Sequence, residues 1–130
     1  MKRKRKRILV DMSISILHHG HIRLLKKASN YGKVYVALAT DKEIKKFKNI
    51  KPELNFSNRK EIISSIKYVS GVIKSKANID NKFLKKHKFD FLIHGSDNKN
   101  PVDKKYVKIF ERTKNISSTI IRRRAVKNLR

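Results

Sequence analysis

The sequence of 130 residues contains no cysteine and no tryptophan, only four glycines and two prolines, and ten acidic side chains against 35 lysines and arginines. Each scarcity removes a class of answer. Without cysteine there is no disulfide framework and no thiolate zinc site, and a reducing, cytoplasmic setting is the expectation. With so few glycines there is neither a Walker loop nor a GxGxxG cradle, so a bound nucleotide has to be held by side chains and helix ends. No apolar run approaches the length of a bilayer-spanning helix, and membrane insertion is not expected. The "KRKRKR" at 2–7 is followed by "ILV" alone, too short for the apolar part of a signal peptide. The formal charge of +25 attracts polyanions. The aromatics, however, sit inside apolar runs and not among the basic clusters, which favours solvated charge over a dedicated nucleic-acid interface.

The length suits one domain with a single core. Residues 1–7 are expected to be a disordered basic segment and residues 8–130 the domain. "RILVDM" (7–12) and "KVYVALA" (33–39) read as buried strands. Between them, Ile22, Leu25, Ala28 and Tyr31 fall on one helical stripe that stops at Gly32, as a glycine-capped helix would. Further on, Thr40 or Asp41 caps a short helix, "IKPELNF" reads as loop, and Ser57 caps a helix whose Ile62, Ile66 and Val69 repeat at helical spacing. "GVIK" (71–74), "FDFLIHG" (89–95) and "YVKIF" (106–110) are further strands, with a short helix "IDNKFLKKHK" among them. "SSTIIRRRAVKNLR" closes the chain as a helix capped near Ser117 or Ser118. The alternation predicts a Rossmann-like α/β fold with a five-stranded, mostly parallel sheet flanked by helices. Ligands of such sheets sit at the carboxyl ends of the strands, which is where the chemistry-bearing residues fall.

Three of the five histidines lie in "LHHGH" (17–21). His18 and His21 bracket the predicted start of the first helix, where backbone amides and the helix dipole favour an anion, with Gly20 allowing close approach. Two imidazoles there can donate to the non-bridging oxygens of a reacting phosphate. A metal site of His18, His21, His94 and Asp97 and a pair of ordinary loop histidines are the alternatives.

"HHGH" resembles the HxGH signature of the nucleotidylyltransferases, and "RTKNISSTIIR" (112–122) is similar to the RTxGISTT-type motif of their cytidylyltransferase branch. "NRKEIISSIKYVSGVI" (58–73) looks like the helix and strand between them, and the order agrees from Ile8 to about Arg124. In size the chain is similar to the glycerol-3-phosphate members of that family. "IHGSD" (93–97) is more similar to its ethanolamine-phosphate and phosphonate members. The resemblance implies transfer of CMP from CTP to a small phosphorylated alcohol or phosphonate, with release of pyrophosphate. It also implies magnesium arriving with CTP, no dedicated protein metal cage, and a homodimer. His18, His21 and Arg112 would be the catalytic groups. Met12, Ser13, Gly20, Lys45, Lys46, Arg59, Thr113, Ser117, Ser118 and Thr119 would hold the nucleotide, with Gly95 and Asp97 near the cytidine. The rivals are an adenylyltransferase of the same superfamily and a catalytically weakened member that binds nucleic acid through its basic surface.

Two positions depart from the family pattern. Ser15 stands where an acidic residue is expected, and Asp11, an even number of residues earlier, is the candidate to replace that acid. Asn115 stands in place of a glycine, a mild change because asparagine tolerates left-handed backbone.

Overall fold

The computed structural model describes residues 5–75, 78–95 and 98–129. Five parallel strands form one sheet: β1 (Arg7–Met12), β2 (Lys33–Leu38), β3 (Val69–Lys74), β4 (Phe91–His94) and β5 (Val107–Ile109). They lie in the order β3-β2-β1-β4-β5, so the chain reverses its direction of travel across the sheet at β1 and β4. That switch point opens a crevice at the carboxyl ends of the strands. The helices are α1 (His19–Ser29), α2 (Asp41–Lys48), α3 (Phe56–Ser64), α4 (Asn81–Lys86) and α5 (Ser118–Asn128).

Alternation along the strands supplies two apolar faces. Ile8, Val10 and Met12 point to one side, where Leu25 and Ala28 of α1 and Ile63 of α3 complete a buried cluster. Leu9 points to the other side, against Leu92, Ile79 and Leu84 of α4. A fully buried leucine or isoleucine contributes about 1.5–3 kcal/mol, so these layers hold the sheet together. The second face changes character at its upper end. Two residues beyond Leu9 comes Asp11, and two beyond Leu92 comes His94, so the apolar layer finishes in polar side chains at the crevice.

Several local expectations are corrected. Arg7 belongs to β1 and not to the basic leader: its guanidinium donates to the Tyr35 hydroxyl at 2.9 Å and stacks over the Tyr35 ring. Gly32 is no helix cap, since α1 ends at Ser29 with Asn30 as its C-cap. Its need for glycine is a close approach instead, because a Cβ there would overlap the Lys6 carbonyl. Tyr31, placed on the buried stripe, is exposed. Asn55, not Ser57, caps α3 by accepting from the Asn58 amide at 2.9 Å. That helix stops at Ser64, so Ile66 lies in the turn that follows and Val69 in β3, while Ile62 faces solvent. The capping choices left open fall to Thr40 for α2 and Ser117 for α5.

Candidate active site

The crevice above β1 and β4 is a cleft of about 1270 Å³, walled by the start of α1, by α2, and by the loop and helix after β5. At its centre the "HHGH" turn is tied to itself. The His18 Nδ1 accepts from the Gly20 amide at 3.1 Å, and the His21 Nδ1 accepts from the His18 amide at 3.2 Å. This capping box satisfies two amides that the first turn of a helix leaves unpaired. It also fixes the tautomer: a neutral ring that accepts at Nδ1 carries its proton on Nε2. Both histidines therefore present an Nε2–H donor. The rings lie 3.9 Å apart between centroids.

Both imidazoles are held neutral. Burial lowers the pKa of His18, with help from His19 and Arg112. Burial lowers that of His21 further, to about 3, followed by the fields of His18, Lys48 and Arg112. In both cases loss of water contact is the first cause and the neighbouring basic groups add to it. Gly20 has a more local role than the sequence suggested. A Cβ there would meet His18 Cε1 at 2.8 Å, so the glycine makes room for the imidazole that caps the helix.

The C-terminal motif closes the opposite wall. The Ser117 hydroxyl accepts from the Ile120 amide at 3.1 Å to start α5, and the Ser118 hydroxyl accepts from the Ile16 amide at 3.3 Å and donates to its carbonyl at 3.1 Å. Ser118 thus ties α5 to the segment that leads into His18. Asn115 adopts φ 65°, the left-handed conformation that glycine would supply in its place. Met12, Ser13, His18, Gly20, His21 and Gly95 line the cleft, as do Arg112, Thr113, Ser117, Ser118 and Thr119. Asp97 lies outside the described residues.

Three expected contacts are not brought to the cleft. Arg59 is buried beneath it, with Nη1 donating to the carbonyls of Ser13 (2.8 Å) and Ala39 (2.9 Å), Nε to that of Leu54 (3.0 Å), and Nη2 to Asp41 (2.6 Å). It fastens the chain at the ends of β1 and β2, and is not among the residues that line the cleft. Lys45 and Lys46 are exposed on α2 outside the cleft, because burial of Ile44 turns the face of Lys48 inward. Lys48 Nζ donates to the Ser13 hydroxyl at 2.8 Å. Sequence reasoning missed Lys48, although its spacing of four from Ile44 places the two on one helix face.

Arg122, which the sequence left open between the triphosphate, a dimer surface and RNA, is held inside the protein. One turn after Ser118, its Nη2 donates to the Ser15 hydroxyl at 3.0 Å and to Glu53 Oε1 at 2.7 Å, while its Nε reaches Glu53 Oε2 at 2.6 Å. Ser15 is buried. The carboxylate that balances this arginine thus comes from the loop before α3, and not from position 15. Asp11 does not replace the family acid at that position either. The strand ends at Met12, and Ile14 turns at φ 46°, which breaks the alternation that would have aligned residues 11 and 15. Asp11 instead accepts from the Ser75 hydroxyl at 3.1 Å and from Asn100 Nδ2 at 3.2 Å, with His94 Nε2 at 3.6 Å. Burial pushes its carboxyl pKa up, opposed by the Asn100 bond, the His94 field and the Ser75 bond. Among the described residues no three His, Cys, Asp or Glu side chains converge as a metal ion would require. His94 lies with Asp11, and His18 and His21 spend Nδ1 on capping.

A parallel sheet whose switch point carries paired Nε2–H donors and a serine-capped helix start has the architecture of a nucleotidyltransferase. A family model described as Cytidylyltransferase-like matches residues 13–124, and the chain belongs to that family. It is 33% identical over 125 residues to glycerol-3-phosphate cytidylyltransferase from Bacillus spizizenii, covering 91% of this chain and 95% of that protein. It is 35% identical over 98 residues to FAD synthase from Thermococcus kodakarensis, covering 74% and 66%. The crystal structure of the lipopolysaccharide core biosynthesis protein from Thermoplasma volcanium GSS1 shares the fold, with a TM-score of 0.67 at 22% identity over 83% of this chain and 98% of that one.

Proposed function

We propose that this protein transfers CMP from CTP to a small phosphorylated alcohol or phosphonate and releases pyrophosphate. The observation that carries the reading is the locked histidine pair, with both Nδ1 atoms engaged in capping and both Nε2–H groups left as donors. In the reaction an oxygen of the acceptor's own phosphate forms a bond to the α-phosphorus of CTP. The bond from that phosphorus to the bridging oxygen breaks, and the electron pair leaves with pyrophosphate. The nucleophile is already an anion, so no general base is needed. Catalysis consists of positioning and of stabilising charge on the α-phosphate oxygens, which preorganised neutral donors do without reorganisation.

Arg112 and Lys48 add positive charge beside the rings, and Ser118 and Thr119 face the same cleft at the start of α5. Magnesium enters this account with CTP and supplies charge neutralisation on the phosphates. Asp11 and Glu43 line the cleft and are hard oxygen donors of the kind that suits an ion held mainly by phosphate and water. A homodimer belongs to the same reading, and light scattering of the purified chain tests it directly.

Calorimetric titration with CTP and with ATP, in magnesium and beside a His18→Ala variant, tests the nucleotide assignment. Binding that prefers CTP and is lost with the imidazole supports the proposal. Preference for ATP would move the protein toward adenylyl transfer, a reading kept in view by the likeness to an FAD synthase.

A further inference from the structure

In the sequence the aromatics stand apart from the basic clusters, but folding returns three of them to a pair of lysines beside the cleft. Tyr31, in the turn after α1, packs edge-on against Phe91 at the start of β4, with ring centroids 6.3 Å apart, and obliquely against Phe110 after β5, at 5.7 Å. The two phenylalanines are buried, whereas Tyr31 is 42% exposed. Its ring is thus propped by core side chains and open to solvent. Lys27, in the last turn of α1, sets its ammonium 4.4 Å from the centre of the Phe110 ring. Lys108 of β5 sets its own 5.2 Å from that of Tyr31 and 5.3 Å from that of Phe91. Both lysines are exposed, and among the described residues neither pairs with a carboxylate. Lys27 and Phe110 also line the cleft, as does Arg23 one turn earlier on α1, so the patch continues into its basic rim.

Such a surface offers ammonium groups for phosphates and one rigid ring for a flat partner. We propose that Tyr31, flanked by Lys27 and Lys108, is a stacking platform for single-stranded nucleic acid, with a base on the ring and the adjoining phosphates on the two lysines. Stacking on an aromatic ring is open to any base whose face is free, which a single strand supplies and a duplex does not. The lysines add the charge attraction that every polynucleotide meets on this chain, and the ring adds a contact that charge alone cannot make. A second copy of the chain fits the patch poorly, because it carries the same +25 and is repelled. A membrane surface calls for an amphipathic helix with an apolar face. Here the contacts come from the end of α1, the turn after it and β5, with a single exposed ring among them.

The test is fluorescence anisotropy of the full chain, at physiological salt, with two labelled probes of equal length: a short DNA strand and the same strand without its bases. The wild-type protein is expected to bind the base-bearing strand roughly tenfold tighter than the abasic one. Tyr31→Ala is expected to remove that advantage and leave the abasic strand bound as before, whereas Tyr31→Phe, which keeps the ring, should retain it. A thermal melt of Tyr31→Ala checks that only the ring has been lost. Lys108→Ala should weaken both strands alike and lower the salt slope by about 0.7. Equal wild-type affinity for the two strands overturns the proposal, since charge alone would then hold them, and that arm requires no variant to fold. A base preference that survives Tyr31→Ala also overturns it, by placing the stacking ring elsewhere. Vesicles of phosphatidylglycerol that bind through Tyr31, with no base preference in the wild-type protein, would give the surface to a membrane instead.

Discussion

At the scale of single residues, His18 joins structure and chemistry in one ring. Its Nδ1 caps α1, and in the proposed reaction its Nε2–H serves the substrate. His18→Ala is expected to lower kcat/KM by roughly 10²–10³-fold, the usual effect of removing one donor to a developing anion. Its melting temperature should fall only modestly, since a cap is worth about 1 kcal/mol. Steady-state kinetics and a thermal melt on the same preparation separate the two losses. His21 makes a pH-dependent statement as well. Its folded pKa near 3 lies below the ordinary value of 6.5, so between those values the unfolded chain binds a proton that the folded chain refuses. Stability is full above that window and declines as the pH falls through it. Urea melts from pH 7 to pH 4 should show the decline, and His21→Gln should flatten it.

At the scale of elements, the sequence made the strands legible because parallel strands buried on both faces are continuous apolar runs, and β1, β2 and β4 are of that kind. Helix ends were less legible. Asn55, Ser57 and Asn58 are all plausible caps, and only tertiary packing of Phe56 and Ile63 against the sheet selects the first. The motif at 112–122 led to the right wall of the cleft, whereas Arg59 was misread. An arginine amid polar neighbours looks solvated or substrate-facing, and nothing local indicates that three carbonyls from Ser13, Ala39 and Leu54 will surround it. Those carbonyls define its role. Arg59→Leu is expected to cost roughly 2–4 kcal/mol of stability through unpaired buried acceptors. Any loss of CTP affinity should follow from that unfolding, so affinity measured well below the melting temperature should change little. A loss of affinity in a fully folded variant would return Arg59 to the nucleotide site.

At the scale of the whole molecule, +25 on 130 residues means mutual repulsion across the surface. Much of that charge sits on exposed helix faces such as Lys85 and Lys86 of α4 and Arg123 and Arg124 of α5. The described residues contain no helix long and apolar enough to cross a membrane. Screening should relieve the repulsion, so the melting temperature is expected to rise between 20 mM and 500 mM salt, where the Debye length falls from about 20 Å to about 4 Å. Nonspecific binding of RNA should weaken steeply over the same range. CTP binding, directed by the paired imidazoles and the start of α5, should fall less steeply than RNA binding. A fluorescence melt and two titrations at matched salt read these trends.

The central claim is that a phosphate oxygen of the acceptor displaces pyrophosphate from the α-phosphorus of CTP in the cleft above β1 and β4. Phosphorus NMR of the protein with CTP, magnesium and a phosphorylated acceptor follows that bond directly. The account requires the acceptor's monoester signal to disappear into a pair of coupled diphosphate resonances while pyrophosphate grows in equal amount, and requires His18→Ala to stop both. CTP left intact, or broken down with the acceptor signal unchanged, would contradict it.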